Sequence, residues 1–349
     1  MIHSIPHPIV RARAPLRLGL AGGSTDLPRY SETFGGAVLN ATIDRYAHAT
    51  IRVVGGHHFT AEACDLNQSD RVLLADMTIQ EGLTLHRAVC ARMARDYIGN
   101  AMPGLHISTM IDAPPGSGLG SSSALVVAMV EAFRAAFDLP LGPYDVARLA
   151  FDIERKDLGL AGGRQDQYAA AFGGVNFIEF LPEERVIVNP LRMRNGIENE
   201  IMSSIVTCFT GQSRASHDII VDQNRNVDHP EGHALEAMHQ LKRDAFEMKA
   251  SLLIGDIAVV AEILNRSWEA KKATSSSVSN DMIETLWRTA HENGAIAGKV
   301  SGAGGGGFLM FLTDPTNRAR LLRALRAAGS DPDTVQFTNK GVESWLVNV

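Results

Sequence analysis

Between Pro114 and Ser123 the chain reads PPGSGLGSSS, a composition suited to holding an anion. Glycines at 116, 118 and 120 let backbone N–H groups approach a phosphate closely. A helix beginning at Ser121 would add its free N–H groups and the positive end of its dipole. One hydroxyl is enough to cap a helix, so Ser121, Ser122 and Ser123 leave hydroxyls over for a metal ion or a phosphate. The candidate phosphate contacts are Pro115, Gly116, Ser117, Gly118, Leu119, Gly120, Ser121, Ser122 and Ser123. The loop has no G-x-x-x-x-G-K-[ST] lysine, no G-x-G-x-x-G spacing and no G-x-S-x-G elbow. A phosphate nest of another kind remains, with an ordinary Gly-Ser turn and helix cap as the plain alternative.

A second glycine-rich loop, Ser301 to Gly307, joins a strand holding Lys299 to the apolar run FLMFL. Four successive glycines weaken a chain unless a ligand or another segment lies against the bare backbone. Gly304 and Gly305 are the candidates for lying against a substrate. Two carboxylates attract attention as well, Glu154 near a helix end and Asp166 twelve positions later, behind the Gly162-Gly163 turn. Alone, each reads as a solvated helix position or a helix cap. Arg17 alone reads as a solvent-facing strand residue. The histidines, His57-His58 included, show no metal-ligand spacing.

The elements that must carry these residues follow from periodicity. Residues 9–20 alternate as a strand that ends in the turn Ala21-Gly22-Gly23-Ser24-Thr25-Asp26. Strands are expected at 38–43 and 47–54 with a turn at Asp44-Arg45, and again at 104–111, directly before the phosphate loop. Helices are expected at 81–98, 121–137 and 143–157, then a strand over VNFIEF. Beyond residue 200 come a strand over IVTCFTG, helices at 233–253, 257–272, 281–293 and 318–328, and a closing strand at 342–349.

A chain of 349 residues predicts two domains, and the change of character near residue 200 divides it into 1–200 and 201–349. The net charge of −6, from 33 basic and 39 acidic residues without like-charge runs, argues against a nucleic-acid surface. The apolar run 124–130 stops at Glu131, far short of a membrane span. MIHSIPHPIVRARAPLR lacks the apolar core of a secretory signal. Three scattered cysteines (Cys64, Cys90, Cys208) suit a reducing compartment, so a cytoplasmic protein is expected.

Three segments together resemble the GHMP kinase signature: RAPLRLGLAGGSTD (13–26), PPGSGLGSSSA (114–124) and KVSGAGGGGFLMF (299–311). The resemblance spans the chain and is greatest to members that phosphorylate a sugar at its anomeric hydroxyl, as galactokinase and fucokinase do. It implies an α+β fold of two domains, the first with a left-handed βαβ crossover and the second ferredoxin-like. It implies ATP as donor, Mg²⁺ as the metal, and a sugar or sugar phosphate as acceptor; a homodimer is the one protein partner considered, and the sequence leaves quaternary structure open. On this resemblance Asp166 is the catalytic base and Arg17 its basic partner. Ser122 and Glu154 match the magnesium ligands, and Asp26 a sugar-hydroxyl contact beside Gly22, Gly23, Ser24 and Thr25. Gly23 and Ser24 stand where galactokinase has Glu and His, so a sugar other than galactose is expected. A phosphate on the acceptor would demand basic contacts. Arg164, Arg214, Lys271 and Lys272 are the candidates. Two further readings are a kinase of a non-sugar alcohol and a non-catalytic sugar- and nucleotide-binding regulator.

Overall fold

The computed structural model describes residues 8–99, 102–211, 217–227 and 233–347. Arg214 lies outside the described residues. Strand β1 (Ile9–Ala21) pairs antiparallel along its length with β2 (Gly36–Val53). β2 is one 18-residue strand where two strands and a turn were expected. Its register against β1 shifts between Pro15 and Arg17, so the Asp44-Arg45 signal appears as a bulge. Long-range pairing overrode the local turn preference. The other edge of β2 is shared: its first half pairs β6 (Val175–Phe180) and its second half pairs β5 (Leu105–Ile111).

A hairpin of β3 (His58–Ala63) and β4 (Gln68–Leu73) extends the sheet from β5, and β7 (Val186–Pro190) extends it from β6. The hairpin, β7 and helices α1 (Pro28–Phe34), α6 (Asn195–Ser204) and α7 (His217–Val227) are short elements that sequence periodicity did not resolve. Helix α2 (Thr84–Met93) puts Val89 and Met93 in the core, as its spacing predicted. Helix α3 (Ser121–Ala136) has 13 of its 16 residues buried, so it lies inside the domain rather than on it. Helix α4 (Pro143–Asp152) ends in a π-turn at Ile153–Asp157, and α5 (Gln165–Phe172) follows.

The second sheet is built from β8 (Ile205–Phe209), β9 (Ala295–Val300), β10 (Phe308–Thr313) and β11 (Asp331–Asp333) in the order β11-β8-β10-β9, all antiparallel. That order and the helix α11 (Arg318–Ala327) between β10 and β11 are the ferredoxin-like arrangement. Helices α8 (His233–Ile254), α9 (Ile257–Ala273) and α10 (Asp281–Glu292) match the expected spans closely. Met248, Leu252, Ile263 and Leu264 of α8 and α9 join the core of the first sheet. The second sheet starts just beyond residue 200, but the closing strand β12 (Glu343–Leu346) returns to pair with β1. Ser344 of β12 donates to buried Glu131 of α3 at 2.6 Å, tying the end of the chain to the first domain. No helix among the described residues is long and apolar enough to cross a membrane.

Candidate active site

Gly116, Gly118 and Gly120 all have positive φ, between 68° and 75°, which L side chains rarely adopt. Gly120 is the N-cap of α3, so Ser121–Ser123 form its first turn, where backbone N–H groups have no intrahelical partner. Ser117 and Leu119 hold the loop rather than face outward. Their N–H groups donate to Pro114 O and Ser117 Oγ, and both side chains are buried. Pro115 is exposed and is not part of the cleft wall.

The two glycine-rich loops pack on each other. A Cβ on Gly118 would stand 2.4 Å from Ser301 O, and one on Gly307 would stand 2.5 Å from Ser117 O. Phe308 N–H donates to Ser117 O at 2.8 Å. Gly304 and Gly305, expected against the substrate, are not part of the cleft wall. Gly305 N–H donates to Val278 O at 2.7 Å and a Cβ on Gly304 would meet the same backbone, so their partner is another segment of this chain.

Arg17 on β1 is 3% exposed and reaches the loop from below. Its Nε donates to Asp166 Oδ1 at 2.8 Å and Nη2 stands 2.6 Å from the same oxygen. Its Nη1 donates to Gly118 O at 2.6 Å, so one guanidinium ties the loop at 114–123 to the carboxylate. Asp166 lies against Gly120, whose Cβ would come within 3.1 Å of the Asp166 Cγ. Beside it, Ser122 Oγ donates to Glu154 Oε1 at 3.2 Å, and Gln167 Nε2 holds Glu154 Oε2 at 2.6 Å.

Ser122 and Glu154 fit a magnesium ion. Glu154 is 1% exposed yet turns one oxygen to a hydroxyl in the cleft, and its nearest cation is Arg155 at 3.9 Å. Among the described residues no cluster of three or more His, Cys, Asp or Glu side chains could cage a metal. One carboxylate and one hydroxyl, with water and phosphate oxygens completing the shell, is the usual magnesium arrangement in phosphoryl transfer.

Asp26 closes the other end. Gln165 donates to it from both its backbone and its side chain at 3.1 Å, and Ser24 N–H donates at 3.2 Å. Burial first, and then the nearby Asp166 carboxylate, raise the Asp26 pKa above the ordinary aspartate value. These groups line one cleft of about 300 Å³, together with Lys271 of α9 and Gln223 of α7.

The family descriptions GHMP kinases N terminal domain and GHMP kinases C terminal match residues 84–174 and 247–331. The chain is 42% identical to D-glycero-alpha-D-manno-heptose 7-phosphate kinase of Campylobacter jejuni, over 97% of this chain and 99% of that protein. This chain belongs to the GHMP kinases.

A solved GHMP relative named D-glycero-D-manno-heptose 1-phosphate kinase, from Bacteroides thetaiotaomicron, superimposes with TM-score 0.82 at 40% identity, covering 97% of this chain and all of that one. Lactococcus lactis galactokinase complexed with galactose shares the fold at TM-score 0.78 and 18% identity, covering 98% and 96% of the two chains. A GHMP kinase of this kind is a phosphotransferase that uses ATP and an alcohol acceptor. Arg17, Ser24, Asp26, Ser122, Glu154 and Asp166 come together in this chain's cleft from segments far apart in sequence.

Five further expected substrate residues do not reach the cleft wall. A Cβ on Gly22 would meet Ala37 O at 2.0 Å, and Gly23 likewise stands outside the wall. Thr25 Oγ1 accepts from Ala37 N–H at 3.0 Å and shares its one proton between Gly22 O and Ala37 O, which makes it a bracket for the turn. Arg164 is drawn away by Glu32, at 2.5 Å, and its guanidinium lies over the Phe151 ring. Lys272 pairs with Glu269 at 2.9 Å and is also outside the wall. Sequence reasoning missed Arg155, Gln165, Gln167 and Gln223. The first three adjoin Glu154 or Asp166 in sequence, which was a usable signal; Gln223 offered none.

Proposed function

We propose that this GHMP kinase transfers the γ-phosphoryl group of ATP to the anomeric hydroxyl of D-glycero-D-manno-heptose 7-phosphate, giving the 1,7-bisphosphate. The observation that carries the reading is the Arg17–Asp166 pair, set between the phosphate loop and the Asp26 end of the cleft. The proton of the anomeric hydroxyl passes to the Asp166 carboxylate, the sugar oxygen bonds to the γ-phosphorus, and the bond from that phosphorus to ADP breaks. Arg17 orients Asp166 and polarises the transferring group. Ser122 and Glu154 would hold Mg²⁺, which would supply charge neutralisation for the phosphates. The acceptor is named from the 42% identical relative, whose match runs nearly end to end. A cytoplasmic location suits an ATP-dependent reaction and the three unpaired thiols.

A coupled ADP-release assay over free and phosphorylated sugars tests this, with the product checked by ³¹P NMR for a phosphate on the anomeric carbon. Turnover of the heptose 7-phosphate above every other sugar is the expected result. Preference for a free sugar would move the assignment to a fucokinase-like activity. ATP binding without turnover of any sugar would favour a regulator.

A further inference from the structure

Lys271 is 3% exposed, lies on the cleft wall, and comes from α9 rather than from any of the three glycine-containing motifs. Its Nζ donates to a hydroxyl, Ser24 Oγ at 2.5 Å, and among the described residues no carboxylate reaches it within ion-pair distance, although Asp26 lies near enough to act on it electrostatically. The other cleft cations differ: Arg17 is held by Asp166, and Arg155 faces Glu154. A buried ammonium with no carboxylate in direct contact is costly and persists where something else supplies further negative charge.

The surroundings of Lys271 are built rather than incidental. Ser24 has φ +86, a strained conformation for a serine, and Gln223 accepts from its hydroxyl at 3.0 Å. Gln223 is fixed in turn by donating to Thr274 Oγ1 at 2.8 Å. Burial lowers the Lys271 pKa to about 8, with Arg17 adding to the effect and Asp26 only partly opposing it. Position decides which anion that partner is. The ATP phosphates belong with the loop at 116–123 and the Ser122–Glu154 pair, on the Gly120 side of Asp166. Lys271 stands with Ser24, Asp26 and Gln223, where the acceptor must lie.

We infer that Lys271 selects an acceptor that already carries a phosphate, binding that phosphate through its ammonium while Ser24 and Gln223 hold the ammonium in place. This inference rests on the reading that the acceptor is a sugar, and it names the group on that sugar which the site recognises.

The test compares wild type, Lys271→Met, Lys271→Arg and Arg155→Met on paired acceptors: the heptose with and without its 7-phosphate, and mannose with and without its 6-phosphate. The readout is the ratio of kcat/KM for the phosphorylated over the free sugar, with calorimetric binding of each sugar phosphate in the absence of ATP as a second measure. Loss of one charge-assisted contact should lower that ratio on the order of 10–10²-fold in Lys271→Met, with partial recovery in Lys271→Arg. A ratio unchanged in Lys271→Met, or one that falls only in Arg155→Met, overturns the inference. So does a wild type that prefers free sugars. If wild type ignores the heptose 7-phosphate but uses or binds another sugar phosphate in a Lys271-dependent way, the heptose assignment falls and this inference stands. Should Lys271→Met fail to fold, judged by circular dichroism, the Lys271→Arg ratio and the calorimetry decide.

Discussion

Arg17 and Asp166 are 149 positions apart in sequence and meet with Nη2 2.6 Å from Oδ1, so the proposed base is aimed by a strand of the first motif. A positioned base is worth roughly 10²–10⁴-fold in rate. Asp166→Asn should therefore lower kcat by at least about 10²-fold while leaving ATP affinity within about threefold. Steady-state kinetics alongside nucleotide titration measures both, and near-normal turnover would remove Asp166 from the role.

Gly120 is where the helix cap and the base touch. Alanine there would put a methyl 3.1 Å from Asp166 Cγ in a backbone conformation of φ +75. Left-handed backbone costs a non-glycine residue about 1–2 kcal/mol. Gly120→Ala should lower stability by about that amount in urea unfolding and reduce kcat more than ATP affinity. A variant as active as wild type would show that the Asp166 position is not critical.

Glu154→Gln can still accept from Gln167 through its amide oxygen and turn its NH2 to the Ser122 hydroxyl, but it removes the charge offered to a metal. The Mg²⁺ concentration for half-maximal rate should rise at least about tenfold, with the far-UV spectrum unchanged. An unaltered Mg²⁺ dependence would place the metal elsewhere.

Lys299 is buried, with Nζ 3.4 Å from Leu20 O, and burial first, then Lys271 and Arg17, lower its pKa to about 7, against the opposing pull of Asp244. The unfolded chain keeps the ordinary value of 10.5, so between about pH 7 and 10.5 it binds the extra proton and stability rises with pH. Below about pH 7 both states are charged and the burial penalty is complete. Lys299→Met should be more stable than wild type at pH 6.5, with the advantage shrinking by pH 9. Urea titrations at the two pH values give the answer; an advantage that grows with pH would contradict the charge argument.

What was legible in the sequence was whatever the backbone encodes locally. Glycines at 116, 118 and 120 permit the positive φ that the loop adopts, and the long amphipathic helices α8, α9 and α10 carry their own periodicity. The Glu154–Asp166 spacing survives because both sit at the ends of neighbouring short helices, and Arg17 with Asp26 came from a motif written in one strand and its turn. Tertiary structure decided partners. Arg164 and Lys271 look alike as cations in a sequence, yet Glu32 neutralises the first, while the second is buried against a serine hydroxyl 247 residues away. The turn signal at Asp44-Arg45 became a bulge because β1 on one side and β5 and β6 on the other hold β2 straight through it. Gly304 and Gly305 announced a close approach, but only the packed structure showed Val278 as the neighbour. Local sequence sets backbone conformation; which charge meets which depends on contacts across hundreds of residues, and those exist only once the sheets and helices have closed around the cleft.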